Sequence, residues 1–175
     1  MTRGRQERGF TLLEMLIVVA ILGLLASILI PNLFDALQKA RQKRTMTDMR
    51  GIGTGWMAWL ADQTGAASAG VTTYAAGDLT DITFPEMESY LQPTDTFFYV
   101  QKLPGIDPWG TPYRFKMTVG NKLNAIFVCS ASRDSTFKEC ELDDIPVQGF
   151  LTTDYDQDIV WADGFFVRWP EGTGK

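Results

Sequence analysis

The fold of the chain is decided by Arg8-Gly9-Phe10-Thr11-Leu12-Leu13-Glu14, which opens a long apolar run. Glu14 is the one ionisable side chain between residues 10 and 34. A helix of about 20 apolar residues can cross a bilayer. A carboxylate inside such a helix costs roughly 2.5–3.5 kcal/mol unless it has a partner. The stretch therefore predicts a membrane helix whose carboxylate needs a partner.

Two simpler interpretations of this run compete. A secretory signal peptide would use Arg3, Arg5 and Arg8 as its basic region. The run exceeds the usual apolar length of about 7–15 residues, however, and no small-x-small cleavage pattern follows Ile30. An ordinary single-pass anchor explains the length but gives Glu14 no purpose. Basic residues flank both ends of the run, so the positive-inside rule does not decide its orientation.

The residues Gly9-Phe10-Thr11-Leu12-Leu13-Glu14, followed by an apolar run that contains Pro31, resemble the class III leader of type IV pilins and pseudopilins. The resemblance implies that a membrane peptidase cuts after Gly9 and methylates the new amine of Phe10. It also implies Sec-dependent, single-pass insertion into a bacterial inner membrane. The leader would then lie in the cytoplasm and the globular head in the periplasm.

Glu14 would be the fifth residue of the processed chain. Cleavage would create a cationic amine on Phe10, and in a bundle of such helices the Glu14 of one subunit can meet the amine of another. That attraction is strong at low dielectric, and losing one partner strands a buried charge. Glu14 is therefore predicted to set the register of assembly. Pro31 removes a helix hydrogen bond, and the resemblance implies that the helix near it can melt in a filament.

Composition excludes several kinds of function. The 175 residues suit one globular domain plus the membrane helix. The formal net charge is −5, and loss of the leader, with three Arg and one Glu, brings the side-chain sum to −7. This acidity argues against a nucleic-acid surface. The chain has no His, which removes Ser-His-Asp and Cys-His catalysis and the usual mixed zinc sites.

The helix is predicted to continue beyond the membrane. Apolar residues and one glycine recur there at steps of three and four, which predicts a face packed on the protein's own sheet. Glycines within this part would let another element approach closely. The face consists of Met46, Met49, Ile52, Gly53, Trp56, Trp59 and Leu60, and the glycines are Gly51, Gly53 and Gly55.

The rest of the chain predicts an α+β head. Residues 62–81 resemble a surface loop, and residues 85–91 suit a short helix that starts at Pro85. Strands are predicted at 113–117, 123–129 and 159–169, with a turn at 119–122 and an interruption at Asp163-Gly164. The predicted fold is type IV pilin-like, a long N-terminal helix on a small antiparallel sheet. Its parts are leader 1–9, membrane and filament-core helix 10–34, extramembrane helix 35–62 and head 63–175.

A turn-rich segment, Asp107-Pro108-Trp109-Gly110-Thr111-Pro112-Tyr113, precedes the strands. Its prolines fix φ, its glycine permits unusual angles and its tryptophan can pack the loop down, so a rigid turn is sufficient to explain it. The segment also resembles the Asp-Pro-Trp-Gly-x-Pro-Tyr signature of major pseudopilins of type II secretion systems. Adhesive type IV pilins usually lack it.

An acidic region follows, with eight acids and no basic residue between Lys138 and Arg168. Asp154, Asp156 and Asp158 alternate, a spacing that can converge oxygens on Ca²⁺ in a loop. A solvated acidic loop is the alternative.

Resemblance to major pseudopilins implies one structural calcium, held by a loop after the middle strands and by an Asp-x-Asp-Ile stretch. The ligands it implies are Asp158, then Asp134 and Asp156, and last Asp154. The first loop departs from the pattern, because Arg133 and Ser135 replace the glycines that usually flank its aspartate.

Cys129 and Cys140 are the only cysteines. The resemblance places them outside the cytoplasm, where disulfides persist. A bridge would stabilise the fold by roughly 3 kcal/mol, and two free thiols are the alternative. A disulfide is not part of the usual major-pseudopilin pattern, whereas many type IV pilins have one near the C-terminus.

These patterns predict a structural subunit and not an enzyme. The favoured function is the major pseudopilin of a type II secretion system, polymerising with itself into a helical filament that is periplasmic or extracellular. The resemblance implies further partners, namely the prepilin peptidase, minor pseudopilins, the inner-membrane assembly platform and, before assembly, membrane lipid. The alternatives are a major or minor type IV pilus subunit for adhesion or motility, and a membrane-tethered enzyme or binding module.

Overall fold

The computed structural model describes residues 9–68, 79–94, 96–118, 126–141 and 145–171. The chain forms two compact units, which meet in sequence between Leu37 and Gln38. The first helix, α1, runs from Leu12 to Ser68 and includes Pro31. The melting near Pro31 stays a prediction for the assembled state.

The N-terminal part of α1 is apolar and exposed. Large side chains such as Leu12, Val19 and Leu24 are each more than three-fifths exposed. The most apolar window of this helix has a mean hydropathy of 2.8, and none of that window is buried. Among the described residues, α1 is the one helix long and apolar enough to cross a membrane. The described residues therefore leave this surface without a covering.

The second unit contains one six-stranded sheet. Its strands are β1 (Leu79–Ile82), β2 (Arg114–Thr118), β3 (Ile126–Ser130), β4 (Gln148–Leu151), β5 (Ile159–Ala162) and β6 (Phe165–Glu171). The spatial order is β1-β2-β3-β5-β6-β4. All neighbours are antiparallel except β4 and β6, which are parallel.

The core lies between α1 and this sheet. Met49, Ile52 and Trp56 of α1 are fully buried against sheet residues that include Phe115 and Trp161. The rings of Trp56 and Phe115 meet edge to face, with centroids 6.4 Å apart. The predicted apolar face of the helix is therefore confirmed as a packing surface for the protein's own sheet. A short helix, α2 (Phe84–Leu91), adds Met87 and Leu91 to the core.

Two glycines of α1 allow close approach of other elements. A Cβ on Gly53 would overlap the ring of Trp161, and one on Gly55 would overlap the side chain of Val100. Gly51 faces open space, since nothing lies within 4 Å of such a Cβ. The predicted role of these glycines holds at two of the three positions.

The structure differs from the sequence predictions at the end of α1, at strand β1 and at strand β4. Residues 62–81 are not all loop, because α1 continues to Ser68 and β1 pairs Leu79–Ile82 with β2. An established helix adds one hydrogen bond per residue at little cost, which favours its continuation beyond residue 62. Strand β4 was not predicted, and its parallel pairing makes the sheet mixed. The turn predicted at 119–122 lies outside the described residues.

Candidate functional site

Thr11 and Glu14 form a capping box at the start of α1. Glu14 Oε2 accepts hydrogen bonds from Thr11 N at 2.8 Å and from Thr11 Oγ1 at 3.0 Å. Glu14 N donates to Thr11 Oγ1 at 3.2 Å. This role of Thr11 was not predicted, although Thr-x-x-Glu before an apolar run is the usual signature of a capping box. The membrane carboxylate thus has a partner in its own chain.

The predicted cleavage site directly precedes this box. Gly9 and Phe10 are not helical, and Phe10 is 74% exposed. Residues 1–8 of the predicted leader lie outside the described residues. The structure therefore places the bond between Gly9 and Phe10 in accessible, non-helical chain.

Asp107 organises the turn-rich segment before β2. Its buried carboxylate accepts hydrogen bonds from Trp109 N at 3.0 Å and Thr111 N at 2.9 Å through Oδ1. Its Oδ2 accepts from Ser130 Oγ at 2.7 Å. Trp109 Nε1 donates to Gln38 Oε1 of α1 at 2.7 Å. The segment is thus a rigid turn that is tied to both the sheet and the helix.

Asp158, the first predicted calcium ligand, is fully buried. Its Oδ2 accepts hydrogen bonds from the backbone N–H groups of Lys138, Glu139 and Cys140, at 2.7, 2.9 and 3.2 Å. Burial raises the pKa of its carboxyl to about 6, although these hydrogen bonds favour the ionised form. Two carboxylate oxygens here are buried and accept no hydrogen bond from the described residues. They are Oδ1 of Asp158 and Oε2 of Glu139.

The other three predicted ligands have donors within the chain. Lys138 Nζ contacts Oδ2 of Asp134, and Thr136 N donates to Oδ1 of Asp134 at 3.0 Å. Asp156 accepts two hydrogen bonds from the guanidinium of Arg133, and these hold the pKa of the Asp156 carboxyl below its usual range. The Asp154 carboxylate accepts Gln157 Nε2 at 3.0 Å and Asp156 N at 3.3 Å.

This arrangement does not fit a calcium ion. Ca²⁺ takes six to eight oxygen ligands, several of them carboxylate oxygens. Of the four predicted aspartates, only Asp158 has a buried carboxylate oxygen without a donor. Among the residues that the structure describes, no three acidic or cysteine side chains are grouped to hold a metal. Calcium binding therefore stays a prediction of the sequence alone.

The predicted disulfide is confirmed, because Cys129 and Cys140 are bonded to each other across 11 residues of sequence. Both are buried, and their Cα atoms are 6.3 Å apart. The bond joins β3 to the short 3₁₀ turn Glu139–Glu141, whose N–H groups bind Asp158. Lys116 Nζ of β2 donates to the carbonyl of Cys140 at 2.8 Å.

A capped, exposed apolar helix that follows Gly9-Phe10, together with an α+β unit, defines the class of type IV pilin-like subunits. Residues 4–30 match the family described as "Prokaryotic N-terminal methylation motif".

Similarity over the longer chain identifies the family within this class. The chain is 34% identical over 122 residues to the type II secretion system core protein G of Vibrio cholerae, covering 70% of this chain and 78% of that protein. The proteins of the same name from Pectobacterium carotovorum and Dickeya chrysanthemi are 34% and 35% identical, with 63% of this chain and 67% and 68% of theirs covered. No solved structure matches the chain. The chain belongs to the family of type II secretion system core protein G, the major pseudopilins.

Proposed function

We propose that this protein is the major subunit of a pseudopilus, a helical filament whose growth moves folded proteins through the outer membrane. The observation that carries the proposal is Glu14 at the start of an exposed apolar helix, directly after Gly9-Phe10. A plain membrane anchor needs neither this carboxylate nor this junction.

The exposed apolar part of α1 supports polymerisation. Lipid would cover it before assembly, and the same helices of neighbouring subunits would cover it in a filament. Exchange of lipid contacts for helix contacts brings little net hydrophobic gain, so packing and polar pairs decide the association. Glu14 and the amine of Phe10 would supply such a polar pair, because charges attract strongly in a dry helix bundle.

Cleavage of the leader would create the positive charge that this pair needs. Before cleavage, Phe10 contributes an amide, and Thr11 is the partner that the described part of the chain gives to Glu14. After cleavage, Phe10 would carry a cationic, methylated amine that the Glu14 of a neighbouring subunit can bind. Assembly would therefore follow processing by the prepilin peptidase.

The location of the protein follows from the same proposal. The helix would span the bacterial inner membrane once, with the second unit in the periplasm, and the disulfide suits that oxidising compartment. Minor pseudopilins and the inner-membrane platform would be its assembly partners. Its role would be structural and not enzymatic, as the lack of His and of any nucleophile–base pattern in the sequence predicted.

A deletion strain tests this function. Loss of the gene should leave folded substrate proteins in the periplasm, while surface motility and adhesion stay normal. The wild-type chain and a Gly51→Ala variant should both restore secretion, whereas Gly9→Val should accumulate with its leader attached and restore nothing. Lost motility with normal secretion would instead identify a type IV pilus subunit.

A further inference from the structure

The loop after β3, residues 131–139, carries a cation that binds the acidic segment 154–158. Arg133 Nε donates to Asp156 Oδ1 at 2.7 Å, and a terminal nitrogen of Arg133 donates to Oδ2 at 2.6 Å. The backbone N–H of Arg133 donates to the carbonyl of Tyr155 at 3.0 Å. This guanidinium also lies over the Tyr155 ring, 5.6 Å from its centroid. One residue of the loop therefore makes four contacts with the segment.

Lys138 provides a second cation at the other end of the loop. Its ammonium binds Asp134 four residues earlier, which closes the loop on itself. Its backbone N–H donates to Asp158 at 2.7 Å, which joins the loop to the end of the acidic segment. The two side chains together supply two positive charges, as many as one divalent ion.

The backbone on one side of Asp134 supports a comparison with a glycine-flanked turn. Ser132 and Ser135 both have φ of 56°. This is the left-handed region, which glycine adopts at little cost and serine seldom adopts. Ser135, one of the two residues that flank Asp134, therefore keeps a backbone shape suited to glycine, whereas the other, Arg133, does not have a positive φ.

Cys129 and Cys140 enclose this loop and hold its two ends together. The loop is thus held at its two ends by the disulfide. Between the ends it is held by the contacts of Arg133 and Lys138. Fixing the ends lowers the entropy that the unfolded loop can gain.

We propose that Arg133, Lys138 and the Cys129–Cys140 bridge take the place of a divalent cation, so that the loop and the acidic segment are joined without calcium. The Arg133 guanidinium donates hydrogen bonds to both carboxylate oxygens of Asp156, and the Lys138 ammonium forms an ion pair with Asp134. A calcium ion bound to these two carboxylates would have to displace both cations, and their positive charges would repel it. This inference does not depend on the proposed filament function.

The test is thermal unfolding of the oxidised full-length chain in detergent, followed by tryptophan fluorescence. The Tm should be the same with excess EGTA, with Ca²⁺ and in untreated protein. The double variant Arg133→Gln/Lys138→Gln should unfold about 2–4 °C lower. A wild-type Tm that falls with EGTA and recovers with Ca²⁺ would overturn the proposal.

A matched variant separates a local effect from general charge loss. Arg44→Gln breaks an exposed ion pair with Asp48 on α1, far along the chain from this loop. Hydrogen exchange at the Arg133 amide should accelerate several-fold in the double variant and stay unchanged in Arg44→Gln. The Arg133→Lys variant should be protected more than the double variant and less than the wild type, because lysine keeps the charge but cannot donate two parallel hydrogen bonds to Asp156. Equal exchange in the double variant and the wild type would also overturn the proposal.

Discussion

Thr11 and Glu14 satisfy each other's hydrogen bonds at the first turn of α1. The Glu14 carboxylate accepts from both the N–H and the hydroxyl of Thr11, and the Glu14 N–H donates back to that hydroxyl. A carboxylate near a helix N-terminus is also stabilised by the helix dipole. The cap therefore offsets part of the cost of one charge in an apolar helix.

Replacing Thr11 with Val should open this cap. The variant keeps the β-branched shape but lacks the hydroxyl, and loss of an N-cap side chain costs about 1 kcal/mol. In detergent micelles, the amide of Glu14 should exchange its hydrogen about five times faster, as NMR can measure. Thr11→Ser keeps a hydroxyl and should exchange like the wild type. Unchanged exchange in Thr11→Val would contradict the capping role.

Gly53→Ala should destabilise the second unit, because the new methyl group would overlap the ring of Trp161. Overpacking of a core typically costs about 1–3 kcal/mol. Gly51→Ala makes the same chemical change two residues away in open space. It should be neutral or stabilising by up to about 1 kcal/mol, because Ala is the better helix former. Denaturant unfolding of both variants measures the difference, and equal stabilities would refute the close approach.

Asp107→Ala should lower the free energy of unfolding by about 2–4 kcal/mol, since three donors lose their acceptor in a buried turn. Asp107→Asn keeps one oxygen for the two backbone N–H groups, and its amide can donate to the Ser130 hydroxyl. It should therefore lose less than half as much. Chemical denaturation checks the order, and two equal losses would show that the negative charge matters more than the hydrogen bonds.

Reduction of the Cys129–Cys140 bond should lower stability by about 3 kcal/mol, the usual effect of closing a short loop. Cys129→Ser/Cys140→Ser should match the reduced protein and should not respond to reductant. Thermal unfolding with and without reductant measures the loss, and mass spectrometry confirms the redox state. A reduced wild type as stable as the oxidised one would contradict this contribution.

The sequence predicted most elements whose cause is local. The apolar run of α1, its stripe from Met46 to Leu60, α2 and the strands with alternating residues all follow from periodicity over a few turns or pleats. The disulfide was left open between bridged and free thiols, because spacing alone does not fix the distance between Cys129 and Cys140.

Features set by distant parts of the chain were predicted less well. Strand β4 is a short parallel partner of β6, and no local pattern indicates which strand it joins. Calcium at Asp154, Asp156 and Asp158 stays a prediction, but their spacing does not indicate that Arg133 binds Asp156 or that Lys138 binds Asp134, from a loop about 20 residues earlier. The role of Thr11, in contrast, is local, because the Thr-x-x-Glu pattern that predicts a capping box lies within four residues.

In the proposed filament, Glu14 directs assembly by pairing with the processed terminus of a neighbouring subunit. Glu14→Ala and Glu14→Gln should each insert into the membrane and lose the leader, because the apolar helix and the Gly9-Phe10 junction are unchanged.

The most direct test is electron microscopy of filaments formed by membrane-inserted, processed subunits of each variant. Wild-type subunits should form regular filaments, whereas both variants should form none or only disordered ones. Regular filaments of normal helical order from Glu14→Ala would contradict this role of Glu14.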